Sequence, residues 1–161
     1  MTRAAARQAK VVTVSDGVVA GSREDRSGAA LEEALTTAGF VVVGRSVIAD
    51  GIAAVAGELA RACAGFSGLV VTTGGTGFSP RDHTPEGTTE VLDRPAPGLA
   101  EAMRLASPLG RLSRAVAGIR GQTIILNTPG SPKGAVECLT AVLDVLPHAL
   151  DLLSGAPTHH P

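Results

Sequence analysis

The 161-residue sequence has no tryptophan, no tyrosine and three phenylalanines. It therefore offers no aromatic platform on which bases could stack, and its core must be assembled from Ala, Val, Leu and Ile. An excess of one charge is also lacking. Fourteen basic and fifteen acidic residues leave a formal net charge of −1, with no basic block, so neither nucleic acid nor an anionic membrane is expected as a main partner. The two cysteines, Cys63 and Cys138, lie far apart and form no CxxC. That pattern indicates neither a disulfide framework nor a zinc site, and it fits a reducing cytoplasm. No segment approaches the length of a membrane span. The short apolar run Val11–Val14, preceded by Arg3, Arg7 and Lys10, is not the core of a signal peptide.

What is present is enough for one compact domain. A chain of this length, 44% hydrophobic and 18% charged, buries about two thirds of its surface on folding and is too apolar to remain disordered. Short β-branched runs alternate with helical stretches. KVVTVS (10–15), FVVVGRSVI (40–48) and LVVTT (69–73) read as strands, the first as one buried on both faces. Between them, 27–38 carries Ala30, Leu31, Ala34, Leu35 and Ala38 at helical spacing, with Ser27 as candidate N-cap and Gly39 as stop. Ile52, Val55, Ala56, Leu59, Cys63 and Phe66 mark a second helix. Helical crossovers of this length imply parallel strands. Further helices are expected over 84–92, capped by Thr84 with Pro85 following, and over 97–105. A hairpin across Arg120-Gly121 joins 113–119 to 122–127 and makes one strand antiparallel. The last helix runs from Ser131-Pro132 to about Leu153, with Pro147 marking a kink or break. The expected architecture is an α/β three-layer sandwich, a mostly parallel sheet flanked by helices. Its single domain covers 10–154, between a flexible N-terminus (1–9) and a flexible tail (155–161).

Ligands of open parallel sheets bind beyond the carboxyl ends of the strands, and four such exits stand out. Ser15-Asp16 is followed by Gly21 and by Asp25, Ser27 and Gly28, a loop that directs backbone N–H groups and a helix N-terminus to one point and suits phosphate. Thr73-Gly74-Gly75-Thr76-Gly77 allows close backbone approach and reads as a phosphate nest. It lacks the third glycine of a dinucleotide fingerprint and the Lys-Ser/Thr of a P-loop. Asp50 and Asp82 follow the second and third strands. If those strands are neighbours, as sequential strands usually are, both carboxylates face one cleft and can hold Mg2+ or orient a nucleophile. On position alone, Asp50 reads rather as a helix N-cap and Asp82 as a solvated loop charge. Asn127, Pro129, Gly130, Ser131 and Lys133 close a strand and open the last helix, a further anion site. Three such exits suggest a ligand with several phosphates. His83, with no second His or Cys at ligand spacing, reads as a loop residue, and the cysteines read as core.

Taken in order, these segments resemble the molybdopterin adenylyltransferases of the MogA and MoaB type, which include the G domain of gephyrin. The resemblance rests on Ser15-Asp16 with Gly21 and Asp25-Arg26-Ser27-Gly28, and on Thr73 to Gly77 followed by Arg81-Asp82-His83-Thr84-Pro85-Glu86. Leu112-Ser113-Arg114 with Gly118 to Gly121, and Asn127 to Lys133, complete it. Together they span about residues 11–153. Gly17, Ala29, His83 and Thr128 depart from the common pattern without removing a proposed catalytic group.

The resemblance implies transfer of AMP from Mg-ATP to the terminal phosphate of molybdopterin, with release of pyrophosphate. ATP and molybdopterin are then substrates and Mg2+ the cofactor. It implies catalytic roles for Asp50 and Asp82, and substrate binding by the glycine-rich segment, Ser113 and the Asn127–Lys133 segment. A homotrimer, or in MoaB-type members a hexamer, and hand-over of product to a molybdate-inserting enzyme follow as well. Two other readings accompany it: a non-catalytic pterin-binding or assembly subunit, and a nucleotide-binding module acting on another substrate.

Overall fold

A computed structural model describes residues 5–158. Residues 1–4 and 159–161, including His159 and His160, lie outside them, and with them the ends of the two termini expected to be flexible. The remainder forms one six-stranded sheet between two helical layers, in the order β2-β1-β3-β6-β5-β4. Strand β1 (Gln8–Val14) begins ahead of the expected domain start at residue 10. Ala9 is fully buried, and Val41 N–H donates to the Arg7 carbonyl at 2.9 Å, so pairing extends that far.

Parallel strands β2 (Val41–Ile48), β1, β3 (Gly68–Thr73) and β6 (Thr123–Thr128) form the body of the sheet. β5 (Ala117–Arg120) runs antiparallel to β6, and β4 (Arg94–Pro95), a two-residue edge that the sequence did not reveal, runs antiparallel to β5. Arg120 lies opposite Thr123, so Gly121-Gln122 makes the turn, one residue beyond the expected place.

Alternation within the central strands assigns the two faces. Val11, Leu69, Val71 and Leu126 pack under α2 (Arg26–Thr37), α5 (Pro97–Arg104), α6 (Pro132–Thr140) and α7 (Leu146–Ser154). Val12, Val14, Val70 and Ile125 pack under α3 (Ile52–Cys63) and α4 (Thr84–Val91). The expected final helix is thus two, broken just before Pro147, whose ring cannot continue a hydrogen-bonded run. α1 (Asp16–Val19) is a single turn at the β1 exit, hidden in the sequence by its length and by Gly17.

Caps differ from expectation by one or two residues. Asp25, not Ser27, caps α2, accepting from Gly28 N–H at 3.0 Å. His83 precedes α4, and the Thr84 hydroxyl donates to the Gly74 carbonyl at 2.9 Å instead of capping. α3 starts after Gly51, so Asp50 is not its cap. Among the described residues, no helix is long and apolar enough to cross a membrane.

Candidate active site

The chain passes from β1 outward to β2, then crosses back over β1 to β3. Ligand crevices in open parallel sheets form at such reversals, beyond the carboxyl ends of the strands. A cleft of about 870 Å3 opens at this point, floored by Thr13, Val14 and Ser15 from the β1 end and by Thr73 to Gly77 from the β3 end. Ser27, Asp50, Asp82, Ser113, Pro129 and Gly130 also line it.

β2 and β3 are therefore not neighbours, contrary to the assumption that put Asp50 and Asp82 in one cleft. β1 separates them. The carboxylates still meet the same cavity, because the glycine-rich segment bends across the β1 end. Asp50 Oδ1 lies 3.2 Å from where a Cβ at Gly75 would stand, and Asp82 Oδ2 lies 3.0 Å from the equivalent point at Gly77. Gly75 itself has φ +68°, and a side chain there would overlap Thr84 Oγ1. Only glycine fits this left-handed, crowded position.

Each acid is held by backbone. Asp16 N–H donates to Asp50 Oδ2 at 3.0 Å, and Asp50 N–H donates back to Asp16 Oδ1 at 3.1 Å. Arg81 grips the same pair, donating from Nε to Asp16 Oδ2 at 2.7 Å and from Nη2 to the Asp50 carbonyl at 3.0 Å. The Arg81 hydrogen bond holds the Asp16 carboxyl below the usual carboxylate range. Asp82 Oδ2 accepts from Ser79 N–H at 3.1 Å. Arg114 fastens the Asp82 loop from behind, donating to the Gly77 carbonyl at 2.9 Å and the Asp82 carbonyl at 2.6 Å. It also pairs with Glu86, whose carboxyl it draws down.

Other expected site residues take different places. Asp25 is a structural junction: it caps α2, accepts from the Thr13 hydroxyl at 2.8 Å and pairs with Arg45 at 2.7 Å. Asn127 is fully buried. Its amide donates to Thr72 and Thr88 hydroxyls, each at 3.0 Å, and its carbonyl accepts from Val116 N–H at 3.2 Å. Both amide hydrogens and one carbonyl lone pair are thus engaged within the protein, and the residue borders a chamber beside the cleft. Gly21 and Gly28 shape the first loop and do not line the cleft. Ser131 caps α6 and, with Lys133, lines an adjoining chamber of about 400 Å3 that shares Leu109, Ser113 and Pro129 with the cleft. Lys133 is 88% exposed. Thr73 ties the two glycine-rich exits together, its hydroxyl donating to the Pro129 carbonyl at 2.8 Å.

Sequence reasoning gave no role to Arg23 or to Arg26, which add cationic charge to the cleft, nor to Arg81 as the partner of Asp16. Arginines within a loop already identified as an anion site were the available signal. Burial raises the Cys63 and Cys138 thiols above their ordinary range. Neither is poised as a nucleophile.

A family model described as "Probable molybdopterin binding domain" matches residues 10–148. The chain belongs to this family. Among relatives of this molybdopterin-binding family, the molybdopterin adenylyltransferase of Helicobacter pylori strain J99 is 40% identical over 152 residues, 90% of this chain and 86% of that one. The molybdopterin adenylyltransferase of Escherichia coli K12 is 39% identical over 165 residues, 90% and 84% of the two chains. The crystal structure of the molybdopterin biosynthesis enzyme MoaB from Thermus thermophilus superposes with a TM-score of 0.87 at 47% identity, covering 94% of this chain and 98% of that one.

The family cleft suits a crowded anionic ligand. Arg23 and Arg26 line it, beside two carboxylates, Asp50 and Asp82, that are each fixed by a backbone donor and are hard oxygen donors by chemistry. Among the described residues, no cluster of three or more His, Cys, Asp or Glu forms a preformed cage. Mg2+ commonly needs only one or two carboxylates with substrate phosphates and water. Asp50 and Asp82 fit that requirement, since each commits one oxygen to an N–H.

Proposed function

We propose that this chain is a molybdopterin adenylyltransferase of molybdenum cofactor biosynthesis. The terminal phosphate of molybdopterin attacks the α-phosphorus of ATP. A new P–O bond forms to the pterin phosphate, the α–β bridge breaks, and pyrophosphate leaves. The observation that carries this reading is the convergence of Asp50 and Asp82 on the glycine-rich segment at the β1/β3 reversal, in a chain about 40% identical to relatives bearing that name.

Phosphoryl chemistry of this kind depends on in-line positioning and on neutralising crowded charge. The N–H groups of Gly75, Thr76 and Gly77 cradle phosphate oxygens, the Gly74 N–H being spent on the Thr128 carbonyl, and Arg23 and Arg26 balance their charge. Asp50 and Asp82 organise substrate; they would also be the residues to hold Mg2+, which would supply neutralisation of phosphate charge. Lys133 and Ser131 in the adjoining chamber serve the remainder of the ligand. The protein works in the cytoplasm as one domain and passes its product to a molybdate-inserting enzyme. A homotrimer or hexamer is favoured by exposed apolar side chains beside the cleft, with Leu109 at 74% and Phe78 at 70% exposure.

The test combines purified protein, freshly prepared molybdopterin and Mg-ATP, and follows adenylylated pterin together with pyrophosphate. Formation of both supports the reading. Pterin binding without product makes the chain a binding subunit instead, and ATP consumption without pterin makes it a nucleotide-binding module with another substrate.

A further inference from the structure

The two acids follow strands that lie on opposite sides of β1, so something must fix their separation where they meet the cleft. Asp50 sits at the β2 exit, bound reciprocally to Asp16 at the β1 exit. Asp82 sits in a loop beyond β3 that Arg114 fastens through carbonyls of its own loop, at Gly77 and Asp82. Arg114 therefore shapes that loop without tying it to Asp50. Arg81 makes the tie. It immediately precedes Asp82, yet its guanidinium reaches across to Asp16 Oδ2 at 2.7 Å, Asp16 Oδ1 at 3.3 Å and the Asp50 carbonyl at 3.0 Å.

We infer that Arg81 is a positioning residue for the reaction: its guanidinium latches the Asp82 loop to the Asp16–Asp50 clamp and so sets the spacing of the two carboxylates. Geometry and charge act together here. A planar fork can engage a carboxylate and a carbonyl at once, which an ammonium on a flexible stem does not reproduce. Arg81 also cancels the Asp16 charge beside Asp50. Without it, the Asp16 charge beside Asp50 would stand uncompensated, and the Asp82 loop would lose its tie to the Asp50 carbonyl. Arg81 is 66% exposed, so the ion pair adds little to global stability. Its effect falls on alignment, where a displacement of about 1 Å can cost on the order of 100-fold in rate.

This inference rests on the proposed function, and the experiment separates the two. Turnover of molybdopterin and Mg-ATP is measured for the parent, Arg81→Ala, Arg81→Lys, Asp16→Asn and the Arg81→Ala/Asp16→Asn double variant, with melting temperatures alongside. Arg81→Ala is expected to lower kcat at least about tenfold, leave KM for ATP within about threefold and hardly move the melting temperature. Arg81→Lys should recover part of kcat but not all of it. Because both residues act through one latch, the double variant should fall no further than the worse single variant. An active parent with Arg81→Ala within twofold of it, or with an effect confined to KM, or with losses that multiply in the double variant, overturns the positioning role alone. Loss of folding in Arg81→Ala, seen as a collapsed melting transition, also overturns it, since the latch would then be a stability element. An inactive parent overturns the proposed function and this inference with it.

Discussion

Gly75→Ala tests the packing of the glycine-rich segment against the acids. The new methyl carbon would overlap Thr84 Oγ1 and stand 3.2 Å from Asp50 Oδ1, on backbone with φ +68°. A left-handed L-residue costs roughly 1–2 kcal/mol. Pushing the Thr84 hydroxyl away breaks its bond to the buried Gly74 carbonyl, for about 1–3 kcal/mol more. The total is about 2–5 kcal/mol, a fall in melting temperature of roughly 4–20 °C for a domain of this size. Gly21→Ala is the control. Its φ is +76° but nothing lies within 4 Å, so only the backbone cost applies, roughly 2–8 °C. Calorimetry on both variants gives the comparison, and turnover of Gly75→Ala should fall further than its stability explains, because Asp50 is displaced. Equal melting temperatures for the two variants would refute the crowding argument.

Asn127→Ala should cost about 2–4 kcal/mol, since it strands the partly buried Val116 N–H and two buried hydroxyls; substrate KM of the folded variant should stay within about twofold, and a large KM change would make Asn127 a ligand. Arg26→Gln should raise KM for ATP roughly twofold to tenfold at low salt and less at high salt, because an exposed cation is screened; steady-state kinetics at two ionic strengths decide it. The Asp16 carboxyl is depressed by Arg81, so the latch contributes above the ordinary carboxylate value and is lost as pH falls through the depressed one. Carboxyl titration by NMR should show Asp16 below the usual aspartate range in the parent and back near it in Arg81→Ala.

The parallel sheet and its helices were legible because crossover length forces parallel pairing, and the antiparallel strand because a tight turn joins β5 to β6. Strand order was not legible: nothing in residues 41–48 and 69–73 records that β1 lies between them. β4 was hidden because two residues, one of them Pro95, carry no alternation. Caps slipped by one or two residues where several polar side chains compete, as with Asp25 and Ser27. Of the candidate site, the glycine-rich segment and both acids stood out by composition at strand ends. The amide partners of Asn127 were not legible, because a polar residue ending a buried strand looks the same whether its amide faces a ligand or, as here, Thr72 and Thr88. Arg81 belonged to a quoted motif, but its role was not legible because its partner lies 65 residues away in sequence.

Transfer of label from ATP carrying a marked α-phosphate tests the activity and its acidic pair most directly. The parent should place labelled AMP on molybdopterin, while Asp50→Asn and Asp82→Asn should each lower kcat by about 100-fold or more with KM for ATP within about threefold. No labelled pterin from the parent, or variants that lose affinity while keeping kcat, would contradict it.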